Sequence, residues 1–246
     1  MTEAARHYEG QDLEALADLP RYTAWILEHF QPYLRGRSIE VGAGIGNVSA
    51  RYVDRMDEAL LVEPAVNLHE KLRERFADRP RVRTACALLD EVDPALTEKP
   101  FDAAILVNVL EHIEDDAGTL ASLYGLLAPG GALLLFVPAL PFLYGSLDTL
   151  VHHVRRYTRP SLAKSLRDAG FQIGTLRYFD ALGMAPWFVA GRVLKQRRFD
   201  ASAARFYDRI GVPLTRLVED RLTVPIGKSL IAVAFRPKDP ALHPLA

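Results

Sequence analysis

Ile39-Glu40-Val41-Gly42-Ala43-Gly44-Ile45-Gly46-Asn47 is an apolar strand pattern that runs into a glycine-rich turn and then into a helical pattern. Glycines at such a junction let the backbone adopt positive φ and let a ligand approach the chain closely. The spacing is G-x-G-x-G, whereas a dinucleotide fingerprint, G-x-G-x-x-G, needs glycine where Asn47 stands. Glu40, two residues before the first glycine, would repel a pyrophosphate and suit a cationic ligand that lacks phosphate.

Working outward, short Val/Ile/Leu/Phe-rich runs predict strands at 37–41, 58–62, 81–85, 101–107 and 132–137, with helices at 47–55, 65–77 and 114–127 between them. Alternation of this kind is the mark of an α/β sheet with crossover helices. Pro129-Gly130-Gly131 is expected to stop the third helix. A helical region near 12–34 precedes the first strand, and a helix over 160–170 leads to strands at 171–179 and 229–235. The last two form a hairpin whose 48-residue connection, 181–228, is expected to be helical, with breaks at Pro186, Gly211, Pro213 and Pro225.

Composition excludes several classes. With 49% hydrophobic and 25% charged residues, the 246-residue chain is neither disordered nor fibrous. The uncharged run from Ala117 to Leu147 is cut by Pro129, Gly130, Gly131, Pro138 and Pro141, so it reads as helix, turn and buried strand rather than as a membrane span. The single cysteine, Cys86, lies among Ala85, Ala87 and Leu88 and reads as a small buried side chain in a reducing compartment. Met1 to Asp12 carries Glu3, Arg6, Glu9 and Asp12 without an apolar run, so a cytoplasmic protein is expected. Residues 1–150 hold 13 Lys plus Arg against 24 Asp plus Glu, and the remainder 17 against 7, which points the C-terminal part toward an anionic partner.

Glu63 ends the second strand in Leu60-Leu61-Val62-Glu63-Pro64, where an acid can accept both hydroxyls of a ribose. Together with Phe101 to Ile113 (FDAAILVNVLEHI), Leu126 to Leu133 (LLAPGGAL) and His153 to Thr158 (HVRRYT) leading to Ala169-Gly170-Phe171, these stretches resemble the class I S-adenosylmethionine-dependent methyltransferases. The resemblance implies a doubly wound, Rossmann-like seven-stranded sheet with its last strand antiparallel. It implies S-adenosyl-L-methionine as cofactor, with Gly42, Gly44 and Gly46 against the methionine part and Glu40 near its ammonium. Glu63 and Pro64 would border the ribose, and Asn108 and Val109 the methionine moiety. Relatives often carry an acid just after the third strand for the adenine. Here Cys86, Ala87 and Leu88 come first, which leaves backbone groups near Ala87 and Leu88 to read it.

Three regions follow: an N-terminal helical cap (1–35), a cofactor-binding domain (36–180 and 229–237), and a helical insertion (181–228) expected to bind the acceptor or a surface. Methyl transfer needs alignment more than a conspicuous motif. Asp148, His152, His153 and Tyr157 follow the fifth strand, and His153 is the candidate general base. His112 is assigned a structural or cofactor-shaping role, Tyr22 and Trp25 core packing or a lid, and Asp115 and Asp116 a helix N-terminus. No metal-ligand set is read around the fourth strand. Uncharged Ala181 to Gly191, followed by Arg192, Lys195, Arg197 and Arg198, suits a small-molecule acceptor that is apolar and anionic, or a peripheral membrane contact. No nucleic acid is expected, and the alternative function is a non-catalytic scaffold or membrane-associated binding protein.

Overall fold

The computed structural model describes residue 8, residues 19–198 and residues 200–238. Its centre is one seven-stranded sheet: β1 (Arg37–Val41), β2 (Glu58–Val62), β3 (Val82–Ala85), β4 (Phe101–Val107), β5 (Leu127–Pro138), β6 (Gln172–Phe179) and β7 (Ser229–Phe235). The strand order is β3-β2-β1-β4-β5-β7-β6; the first five strands are parallel, and β7 runs antiparallel to both neighbours. The chain order reverses between β1 and β4, so the ligand crevice of such a sheet opens at their C-terminal ends.

Continuous apolar strands are buried on both faces because helices cover both. Ile39, Leu60, Ala104, Leu133 and Leu135 pack toward one side, with Leu120 and Leu123 of α4 (Asp116–Leu126) and Leu162 and Leu166 of α6 (Arg159–Asp168). Leu61, Ile105, Leu134 and Phe136 pack toward the other, with Trp25 and Phe30 of α1 (Pro20–Phe30) and Leu72 of α2 (Val66–Arg75). Two short helices, α3 (Pro94–Thr97) and α5 (Ser146–Leu150), complete this part. Trp25 is fully buried with its ring 3.8 Å from that of Phe179, and Tyr22 sits 6.0 Å from Phe136. Tyr22 and Trp25 are therefore core residues. Residues 9–18 of the expected N-terminal helix lie outside the described residues.

Four local expectations are corrected. Residues 47–55 form two 3₁₀ turns, Ser49–Arg51 and Val53–Arg55, because Ser49 and Tyr52 turn inward to hydrogen-bond Glu40. Pro129-Gly130-Gly131 is part of β5: the helix has already ended at Leu126, and the register with β4 shifts between Phe101 and Ala103 to absorb the extra residues. Pro186, Gly211 and Pro213 do not break helices. Pro186 lies in the first turn of α7 (Met184–Phe188), where no amide donor is needed, and a π-helical turn, Val189–Val193, continues it. A second, Tyr207–Gly211, joins α8 (Ala201–Phe206) to α9 (Val212–Glu219); Pro213 lies in the first turn of α9, and the Arg209 carbonyl four residues before it accepts from Arg21 at 2.8 Å. Cys86, finally, is exposed just beyond β3, because the chain turns outward where the strand ends.

Candidate active site

The turn after β1 is held from both sides. Gly42 and Ala43 donate to the Val62 carbonyl at 2.8 and 3.0 Å, and Gly46 to that of Ala43 at 2.9 Å. Gly42, Gly44 and Gly46 have φ of +69, +56 and +80°, a region that side chains rarely occupy. Space excludes side chains as well: a Cβ on Gly42 would lie 2.5 Å from Val109 Cγ2, and one on Gly46 2.5 Å from the Phe76 ring. The loop thus packs closely at Gly42 and Gly46, against Val109 and Phe76, at the ends of β1 and β4.

Two buried carboxylates flank it. Glu63 Oε2 accepts from the Gly44 amide at 2.8 Å and Oε1 from the Ala65 amide at 2.9 Å. A carboxylate has about four acceptor positions, so both oxygens retain capacity for hydroxyl donors. Glu40 Oε2 accepts from Ser49 Oγ at 2.6 Å and from the Tyr52 hydroxyl at 2.8 Å. Burial pushes the Glu40 carboxyl up to about 7, against the lowering effect of those two bonds, and raises that of Glu63. Neither has a basic side chain paired with it among the described residues.

Pro64 follows Glu63 directly. Ala87 and Leu88 lie beyond β3, and the Leu88 amide donates to Glu91 at 3.2 Å. Asn108 is exposed at φ +53° and anchored by its amide to the Phe136 carbonyl at 2.8 Å. Every residue expected at the cofactor therefore lies at the C-terminal end of one of four neighbouring strands.

The groups after β5 form a second constellation. Asp148 Oδ1 lies 2.8 Å from His153 Nδ1 and 2.7 Å from Arg156 Nε, and Oδ2 accepts from the Gly145 amide at 3.0 Å. Burial alone would raise the Asp148 carboxyl, but these donors hold it below the usual range. The Tyr157 hydroxyl donates to Asp116 at 2.8 Å, and burial with that acid keeps the phenol protonated. His152 is exposed at φ +60°. Asp115 caps α4 through the Gly118 amide at 2.9 Å, and Asp116 pairs with Arg155 at 2.8 Å.

One residue of this constellation escaped sequence reasoning. Glu111 is completely buried, and burial lifts its carboxyl to about 8. Its Oε1 is 3.6 Å from His153 Nε2, and the ring of His112 stands 4.8 Å from that of His153. The available signal was a carboxylate in an otherwise apolar stretch, Val109-Leu110-Glu111-His112-Ile113.

In the C-terminal segment, Phe206, Ile210, Leu214 and Leu217 are exposed along one helical stretch, and Leu222 is exposed just beyond its end. Arg192 donates to the Tyr144 carbonyl at 3.1 Å, and Arg197 and Arg198 are exposed. Among the described residues no helix is long and apolar enough to cross a membrane.

Residues 39–133 match the family model described as a methyltransferase domain. Uncharacterized methyltransferases of Mycobacterium bovis and Mycobacterium tuberculosis are 32% identical over 109 residues, 44% of this chain and 54% of theirs. The match thus spans about half the length of these relatives. Among solved structures, an S-adenosylmethionine-dependent methyltransferase from Mesorhizobium loti superposes with a TM-score of 0.61 at 18% identity, covering 89% of this chain and all of that one. The N-methyltransferase NodS of Bradyrhizobium japonicum, in complex with S-adenosyl-L-homocysteine, gives 0.53 at 12% identity over 83% of this chain and 79% of NodS. The [4+2]-cyclase SpnF gives 0.57 at 20% identity over 89% and 82%. The fold is that of the S-adenosylmethionine-dependent methyltransferases, and segment 39–133 is similar to a methyltransferase domain.

Proposed function

We propose that this protein transfers a methyl group from S-adenosyl-L-methionine to a small acceptor that is apolar and anionic. The observation that carries the reading is the glycine-rich turn tied to Glu63, with a second buried carboxylate, Glu40, behind it. A cationic nucleoside fits such a cradle: Glu63 accepts ribose hydroxyls, Glu40 faces an ammonium, and the loop backbone admits the chain between them. Pro64, Ala87 and Leu88 border the nucleoside, Asn108 and Val109 the methionine end. When bound, the cofactor supplies an electrophilic methyl group.

The chain's own work is then alignment and exclusion of water. His153 acts in turnover and not in holding the cofactor: its Nδ1 is committed to Asp148, leaving Nε2 for chemistry after β5. Residues 181–228 form the acceptor-side region over a domain made of 36–180 and 229–237, with 1–35 as an N-terminal cap. Its exposed apolar side chains and arginines support an amphipathic anion, or an anionic lipid surface, as what it meets. Calorimetric titration with S-adenosyl-L-homocysteine tests the reading: saturable binding weakened in Glu63→Ala is expected, and no binding by the parent overturns it.

A further inference from the structure

We propose that Glu111, His112 and His153 form a binding site for a divalent cation. One carboxylate oxygen and one ring nitrogen from each histidine lie within 4.8 Å of one another, close enough for small side-chain rotations to bring all three onto one ion. The independent observation is Glu111 itself. It is wholly buried, yet neither of its oxygens accepts a hydrogen bond, and His153 Nε2 at 3.6 Å is too distant to donate one. Buried carboxylates are ordinarily paired or bound to metal, since desolvating the charge is otherwise uncompensated.

Asp148 is paired with Arg156 at 2.7 Å and Asp116 with Arg155 at 2.8 Å, so neither arginine is ion-paired with Glu111. A cation between Glu111 and the two imidazoles would supply the partner that its oxygens lack.

The surroundings are arranged as they are around metal-bound histidines. Asp148 holds His153 Nδ1 at 2.8 Å, and Arg156 in turn fixes Asp148, an arrangement that turns Nε2, as the unprotonated nitrogen, toward Glu111. Two backbone bonds set the positions in advance: Val154 donates to the Glu111 carbonyl at 2.9 Å, and His112 to that of Val109 at 2.9 Å. Residues far apart in sequence are thereby locked together without any ion.

Two imidazoles and one carboxylate favour a first-row transition ion over calcium. Exposure increases from Glu111 through His153 to His112, so the site opens on the side of His112. Three protein ligands leave positions free there, the pattern of an ion that takes a further ligand and not of one that only braces the fold. Resting on the methyltransferase reading, that further ligand is an oxygen of the acceptor, and His153 then acts in turnover as a ligand and not as a proton acceptor.

The test uses Co²⁺ alone, followed by its visible absorption and by calorimetry on the full chain. One saturable Co²⁺ per chain, displaced by Zn²⁺, is expected. His153→Ala and His112→Ala should each weaken Co²⁺ by about tenfold or more, while His69→Ala, on α2, leaves it unchanged. His112 is exposed, so its variant is expected to fold, and thermal melting checks this for both. No saturable Co²⁺ signal, or equal affinity in parent, His112→Ala and His153→Ala, overturns the site. Titration of the same proteins with S-adenosyl-L-homocysteine separates the two readings: Co²⁺ binding by a parent that ignores the nucleoside keeps the cation site and removes methyl transfer.

Discussion

The amide of Gly44 donates to Oε2 of Glu63 at 2.8 Å, so the turn after β1 and the acid at the end of β2 are one mechanical unit. The same carboxylate reaches the Ala65 amide through its other oxygen, which fixes its plane. A ligand that needs both the loop and the acid meets them already in register, and the ordering cost is met in folding and not in binding.

Removing that acid is therefore a test of cofactor binding. Glu63→Ala should lower S-adenosyl-L-homocysteine affinity on the order of ten- to a hundredfold, the loss of charge-assisted hydrogen bonds partly replaced by water. Calorimetry giving an unchanged dissociation constant would place the nucleoside elsewhere.

Glu40 should make the stability of the ligand-free protein depend on pH. Its folded-state value, about 7, lies above the ordinary glutamate value of 4.5, so the folded form holds the proton more tightly. The stabilisation is full below the lower value and is lost as pH rises through the upper one, by at most about 1.4 kcal/mol per pH unit. Glu40→Gln should flatten this part of the slope in urea unfolding measured across that window. Identical slopes in the two proteins would show that Glu40 is ionised throughout.

Gly46→Ala should destabilise the fold by about 1–3 kcal/mol, from positive φ together with the clash against Phe76 and Leu72. Thermal melting reads the loss. A variant as stable as the parent would mean that α2 moves aside at no cost.

The insertion is probed by two paired changes. Arg197→Ala with Arg198→Ala should raise the acceptor KM by about tenfold and reduce its salt dependence if these residues meet an anion. Leu214→Ser with Leu217→Ser should abolish sedimentation with anionic liposomes if the exposed apolar side chains meet lipid. An unaltered KM and no lipid binding in either protein would leave a solvated amphipathic helix.

The sheet and the glycine turn were legible because both are local: alternating apolar segments set the strands, and glycine spacing with Glu40 and Glu63 marks one crevice. The second constellation was not. Glu111 and His153 meet only because the chain after β5 folds back along β4, and no periodicity in the sequence reports that path. The short turns at 47–55 were misread for a related reason, since Ser49 and Tyr52 follow a buried partner, Glu40, and not helical spacing. Pro213 looked like a break because the π-helical turn before it has no signature in composition.

The hairpin of β6 and β7 has one further consequence. Phe179 and Ser229 are register partners, so the whole stretch between them leaves and re-enters the sheet at a single rung. It is tied at that root, where Glu219 accepts from the Asp180 and Ala181 amides at 3.0 and 2.7 Å and Lys228 pairs with Asp180 at 2.8 Å, and along its length, where the Tyr22 amide donates to Asp208 at 2.8 Å and Arg216 pairs with Glu28 at 2.6 Å. Lengthening a loop whose ends are already pinned costs little, about 0.6 kcal/mol per doubling. Both ends of the insertion thus sit on one rung of the sheet, so a change in its length leaves the strand register, the glycine turn and its acids where they are.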